Sequence, residues 1–173
     1  PYKAFNHIVG NATNEEEAWL SATPKYNSSS GLWTGTTNAP FATTVGATTY
    51  YGEWLQLKMP HAIKVKTLVI YPATHGTVDL TQRAPKSGKL VGSNDGSTWT
   101  LVKDYTLSSQ PVEGNGTVVS VDASLAYKYL RLIIESTWGG TYGEYVSFAE
   151  LEYYGTEDVG AGDDSVDTTV KSV

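Results

Sequence analysis

The sequence predicts an all-β protein, a sandwich or barrel of short strands, and three observations carry that expectation. Apolar and polar residues alternate over short runs from residue 54 onward. Clusters of Gly, Asn, Asp and Ser punctuate those runs, and no stretch sustains a long helical period. Charged residues make up only 17%, while Thr, Ser, Gly and Tyr are abundant, which favours strands and polar loops over helices.

Taken in order, the elements read as follows. Asn14-Glu15-Glu16-Glu17-Ala18-Trp19 suits a single helical turn capped by Asn14. In Trp54 to Met59, Leu55, Leu57 and Met59 share one face, and Gln56 and Lys58 share the other. Ile63-Lys64-Val65-Lys66 continues the alternation before the wholly apolar Leu68-Val69-Ile70-Tyr71. Lys89-Leu90-Val91 and Trp99-Thr100-Leu101-Val102 flank Ser93-Asn94-Asp95-Gly96-Ser97, where Asp-Gly supplies the positive φ of a tight hairpin turn. That segment is not a calcium loop of EF-hand type. With Gly96 as its glycine, Val91 and Val102 fall at ligand positions and cannot coordinate. Nor is it a phosphate cradle, since no Gly-Lys-Ser or Gly-Lys-Thr follows. Val118 to Val121, Tyr129 to Ile134 and Phe148 to Tyr154 complete the strand set. Trp54 and Trp99, inside strand runs, are assigned to the fold. From Thr156 to Asp167 there are five acids and no base, and then β-branched residues return. Residues 1–155 are therefore expected to form the sandwich. Residues 156–173 read as an acidic linker and the start of a following domain, or else as an edge strand folding back.

Composition removes several functions. The 173 residues suit one domain plus appendages, and the net charge of -6 gives no electrostatic reason to bind nucleic acid. Without cysteine there is neither disulfide nor thiolate metal site. Pro1 and the residues after it do not form a signal peptide, which is expected to be missing or removed, and no apolar run approaches a membrane span. An enzyme is not expected: HExxH, GxSxG and Walker motifs are missing, and His7, His61 and His75 are widely separated. Glu150 and Glu152 simply alternate with apolar neighbours on a strand. Asn11, Asn27 and Asn115 open glycosylation-type triplets that imply little alone.

Gly92 to Trp99 resembles the central hairpin signature of discoidin domains, the coagulation factor 5/8 type C family. Tyr2-Lys3-Ala4-Phe5, Gly52 to Leu57, Arg83-Ala84-Pro85-Lys86, Tyr129 to Leu132 and Phe148 to Gly155 resemble further family segments, in order, across residues 2 to 155. The resemblance implies an antiparallel jelly-roll β-sandwich of about eight strands, with ligand loops at one end. It also implies a structural Ca²⁺, held by the carbonyls of Lys3 and Ala149 with Asn6 and Glu150. Here Asn6 replaces the family's usual Asp, and Glu17, in a longer loop, is a compensating candidate.

Many members of that family bind carbohydrate, others phospholipid or protein. The segment from Ser21 to Tyr51 has Lys25 as its one cation, which disfavours membrane lipid. A sugar site needs aromatic faces and fixed polar groups. The candidates are Trp138 and Tyr142 beside Gly139 and Gly140, Arg83 and His75 between strands, and Trp33 and Tyr26 in the long first loop. Each has a structural alternative, from packing of the tryptophans to a loop-bracing Arg83. The expectation is a non-catalytic, lectin-like module of a larger secreted or surface protein, with glycans or glycoproteins and neighbouring domains as partners. The alternative is a structural or protein-contact module, for example of a virion or cell-surface assembly. On the first reading, Trp138→Ala abolishes glycan retention with the melting temperature nearly unchanged.

Overall fold

A computed structural model describes residues 2–8, 18–35, 40–73, 75, 78–158 and 169–171. The expected turn at Asn14 to Glu17 lies outside them. Ten strands occur among the described residues: β1 (Trp19–Leu20), β2 (Ala42–Val45), β3 (Thr48–Tyr51), β4 (Glu53–Pro72), β5 (Pro85–Ser93), β6 (Thr100–Thr106), β7 (Thr117–Ser120), β8 (Tyr127–Thr137), β9 (Ser147–Asp158) and β10 (Thr169–Lys171). Tyr2–Phe5 and Leu80–Arg83 form 3-10 turns. Eight strands hydrogen-bond in the order β1-β9-β4-β8-β5-β6, with β10 on β9 and β7 on β4, while β2 and β3 make a separate hairpin. All the pairings are antiparallel, as in a jelly-roll sandwich.

The 20-residue β4 joins the two layers. Its first half pairs with β8, from Glu53↔Ile134 to Lys58↔Tyr129, and its second half pairs with β9 and β7. The register with β8 shifts between Lys58 and Ile63, around Pro60, which has no N–H for the ladder. A second shift, against β9, falls between Val65 and Thr67. One extra residue there changes the inward parity, from Leu55, Met59, Ile63 and Val65 to Leu68 and Ile70. These pack with Leu90, Leu130, Leu132, Ile134, Leu151 and Tyr153 in the core between the layers.

β8 is buried on both faces. Leu130, Leu132 and Ile134 enter the main core, while Ile133 joins Val91 and Trp99 in a second cluster that Val45, Tyr50, Trp54 and Tyr129 cover. Burial on both faces explains the uninterrupted Leu132-Ile133-Ile134 run. Arg131 threads this outer cluster, its guanidinium 3.9 Å from the Trp54 ring centre and 4.2 Å from that of Trp99. Its nitrogens donate to Gln56 Oε1 at 2.7 and 3.1 Å and to Thr43 Oγ1 at 2.9 Å, so the charge is answered on every side.

The Asp-Gly segment is a corner between β5 and β6, but a longer one than a two-residue turn. Gly96 has φ 78°, and Asp95 Oδ1 accepts from Ser97 N and Thr98 N at 2.7 Å each. The main-chain N–H groups of Thr98 and Ser97 hold the Asp95 carboxyl far below the usual carboxylate range. Trp99 lies just before β6 and is buried. At the other end of the chain, β9 runs past Gly155 to Asp158, and β10 pairs with it through Thr169↔Thr156 and Val170↔Gly155.

Candidate functional site

Four connections gather where β8 ends and β9 begins, through residues 21–35, 78–84, 107–116 and 138–146. Tyr26 N and Lys25 N donate to Glu144 O, Trp138 N donates to Gln82 O, and Gln110 Nε2 donates to Thr81 Oγ1. Asp79 organises the second connection, because its Oδ1 accepts from Thr81 N and from the Thr81 hydroxyl, capping the 3-10 turn that carries Gln82 and Arg83. In the last connection, Gly139 and Gly140 have φ of 71° and 87°, which lets the chain double back. A Cβ at Gly140 would come to 2.3 Å from Gln82 Oε1.

These turns bring three of the expected residues together. Arg83 Nε donates to Tyr142 O at 3.0 Å, and its guanidinium lies 5.9 Å from the Tyr142 ring centre and 5.3 Å from that of Tyr145. Tyr142 N donates to Gln82 Oε1 at 3.2 Å. Tyr142 is 36% exposed, with both its N–H and its C=O held by hydrogen bonds. Trp138, joined to the same segment through its N–H to Gln82 O, is half-buried and packed against the core, with Lys86 Nζ 5.0 Å above its ring. Its indole N–H is buried with no hydrogen-bond partner among the described residues. Trp138 therefore does packing work as well as forming part of the rim, and its truncation is expected to lower stability, contrary to the near-constant melting temperature expected from sequence. A fixed guanidinium beside an exposed phenol ring offers hydrogen-bond donors and an apolar face, the chemistry of binding rather than bond cleavage.

The other candidates lie differently. Tyr26 is only 3% exposed, and its hydroxyl donates to Ile134 O at 3.0 Å, so its ring belongs to the core and offers no surface platform. Trp33 packs edge-on to Tyr26 with ring centres 5.4 Å apart and tilts against Phe41 at 5.2 Å. Its partly buried side chain packs the first loop onto the sandwich. His75 is half-buried, and its carbonyl accepts from Val78 N at 2.7 Å, a main-chain role within the second connection. Tyr145, Gln82 and Lys86 escaped the sequence reading. Their only signal was proximity to the Gly139-Gly140 and Arg83 segments.

For calcium, the structure brings Glu150 to the amino-terminal segment. Glu150 is fully buried, and its Oε2 accepts from Asn6 N at 3.1 Å and His7 N at 2.8 Å. Asn6 Oδ1 accepts from Ile8 N, and Glu17 lies outside the described residues. Among the described residues no three His, Cys, Asp or Glu side chains cluster. The donors present, a buried carboxylate and an amide oxygen, fit a hard cation in kind, and each already accepts main-chain N–H groups.

A sequence profile of the F5/8 type C domain matches residues 9–151. No curated protein matches the chain. Among solved structures, a chitobiase-assigned fragment from Bacteroides thetaiotaomicron is 20% identical, with a TM-score of 0.51 over 62% of this chain and 63% of its own. The chain thus spans less than two thirds of that structure. The family 32 carbohydrate-binding module of C. perfringens NanJ, in complex with galactose, is 20% identical over 80% of this chain and 94% of its own, with a TM-score of 0.46. That of Streptococcus pneumoniae EndoD is 15% identical over 85% and 81%, with a TM-score of 0.49. No helix among the described residues is long and apolar enough to cross a membrane. With its profile match covering most of the sequence and its strands paired as an antiparallel sandwich, the chain belongs to the F5/8 type C domain family.

Proposed function

We propose that this chain is a non-catalytic carbohydrate-binding module of a larger surface or secreted protein, taking glycans at the loop end formed by residues 79–84 and 138–146. The observation that supports this most is the Arg83 guanidinium set against Tyr142 and Tyr145, with Tyr142 open to solvent. A pyranose would lay its C–H face on Tyr142 and offer hydroxyls to Arg83 and Gln82, with Trp138 closing the rim. Calcium belongs to the same reading. Glu150, Asn6 and the carbonyls of Lys3 and Ala149 would hold it, pinning the amino-terminal segment to β9. Glycans or glycoproteins are then the partners, with neighbouring domains of the same protein.

A glycan array spanning neutral and acidic sugars, run with the unmodified chain and with Tyr142→Ala and Arg83→Ala, tests this. Each variant is expected to lose about tenfold in affinity for whatever sugar is retained, the scale of one aromatic or charge-assisted contact. Tyr142→Ala should leave the melting temperature nearly unchanged, because the side chain is exposed. A chelator is expected to lower that temperature by releasing the amino-terminal segment. An array blank for the unmodified chain in the presence of calcium would refute the carbohydrate reading.

A further inference from the structure

Behind the first loop lies a second recess, separate in its lining from the Arg83 cluster. The first loop touches both places: a Cβ on Gly139 would meet Ser28 O and Gly31 N, while Trp33 and Lys25 lie against Phe41. The recess has a volume of about 190 Å³ and is lined by Trp19, Pro40, Phe41, Glu53 and Trp54. Its walls are three aromatic rings, a proline and one carboxyl group. Glu53 is 8% exposed, and its Oε2 is buried with no hydrogen-bond partner among the described residues. Burial pushes the carboxyl up to about 7, against the Ser21 hydrogen bond and the Lys25 ammonium, so neither neighbour supplies a full counter-charge.

The lining discriminates between guests. A sugar hydroxyl needs donors as well as acceptors, yet the indole N–H of Trp54 is already given to Pro40 O at 2.6 Å. The recess then sets one buried acceptor with negative character among three aromatic rings. An ammonium guest needs nothing else: its charge faces the carboxylate, and its methyl or methylene groups face the rings. The chain demonstrates the affinity on itself, because the Lys25 ammonium stands 5.7 Å over the Phe41 ring. A net charge of -6 draws cations toward the whole surface.

We propose that the recess formed by Trp19, Phe41, Glu53 and Trp54 is a binding site for an alkylated ammonium group, with Glu53 as its counter-ion and Lys25 as the resident competitor. Such a group could come from a choline head group or from a methylated lysine, which share the recognised chemistry. This site does not depend on the glycan reading and would stand if the loop end bound no sugar.

The test is a tryptophan-fluorescence titration of the full chain with choline, using its uncharged isostere 3,3-dimethyl-1-butanol as the control. Choline is expected to bind saturably, and the isostere about tenfold or more weakly, since only the charge differs. Glu53→Gln should cost choline a similar factor while leaving the isostere unchanged. Lys25→Met, which keeps the stem and removes the competing charge, should tighten choline several-fold. Phosphocholine and Nε-trimethyl-lysine in the same titration identify the source, and tighter binding of either than of choline supports the proposal. Equal binding of choline and its isostere would reduce the recess to a plain apolar pocket. Absence of saturable choline binding to both the unmodified chain and Lys25→Met would overturn the assignment outright. The Lys25→Met arm keeps the test decisive even where Glu53→Gln perturbs folding.

Discussion

At the residue scale, individual side chains divide by what closes over them. Tyr26 and Tyr142 are both loop tyrosines near glycines, yet one donates its hydroxyl to Ile134 O inside the core and the other stays open beside Arg83. Glu53 shows the same dependence with charge added. Its carboxyl, raised by burial to about 7 from an ordinary value of 4.5, holds more protons in the folded chain than in the unfolded one over that interval. Stability should therefore be greatest below pH 4.5, as far as this group is concerned, and fall as pH rises toward and through 7. The upper bound is about 3–4 kcal/mol, from the rise between 4.5 and about 7, and solvent screening lowers the loss to about 2 kcal/mol. Urea unfolding of the unmodified chain and Glu53→Gln between pH 5 and 8 checks this: the glutamine variant should lose that slope. A parallel pH dependence in both proteins would assign the slope to other groups.

At the scale of elements, turns and strands were read with unequal success. The alternation in β4 was legible as far as Val65, but the bulge that moves the inward set to Leu68 and Ile70 was hidden inside an apolar run. The Asp-Gly corner was legible as a reversal, although its real length comes from Asp95 gathering the N–H groups of Ser97 and Thr98. Asn94 adds a link no local pattern reveals: its Oδ1 accepts from Lys128 N at 2.9 Å, tying that corner to the start of β8. The loop that presents Tyr142 rests on Gly140, where a side chain meets both a positive φ and Gln82. Gly140→Ala is expected to cost about 1 kcal/mol and to weaken glycan retention by displacing Gln82 and the Tyr142 main chain. Chemical denaturation and the same array measure the two effects. Retention unaltered at lowered stability would separate the turn from the binding surface.

At the scale of the whole molecule, the sheet order turns a linear list of strands into two layers with loops gathered at one end. β4 crosses from one layer to the other, β8 is buried on both faces, and β9 carries Glu150 to the amino-terminal segment while accepting β10 at its far end. Removing residues 159–173 deletes β10 and exposes part of the β9 edge. The expected loss is about 1 kcal/mol, or about 2–4 °C in melting temperature, with glycan affinity retained. A thermal scan and the array on the truncated chain check both parts. A collapse of the fold on truncation would mean that the tail contributes to the core.

The antiparallel strands and their turn punctuation follow from features close together along the polypeptide: two-residue alternation and turn chemistry. Arg83, Trp138 and Tyr142 stand out as candidates because Gly-rich and Pro-flanked loops announce themselves locally, but Tyr26, Trp33 and His75 carry signals of the same kind, and only folding brings Arg83 to Tyr142. The burial of Tyr26, the packing of Trp33 against it, the partners of Arg131 and the enclosure of Glu53 by Trp19, Phe41 and Trp54 could be settled only by folding. Burial is a property of segments distant in the chain that come to lie against one another, and no local period encodes which side chain they will cover.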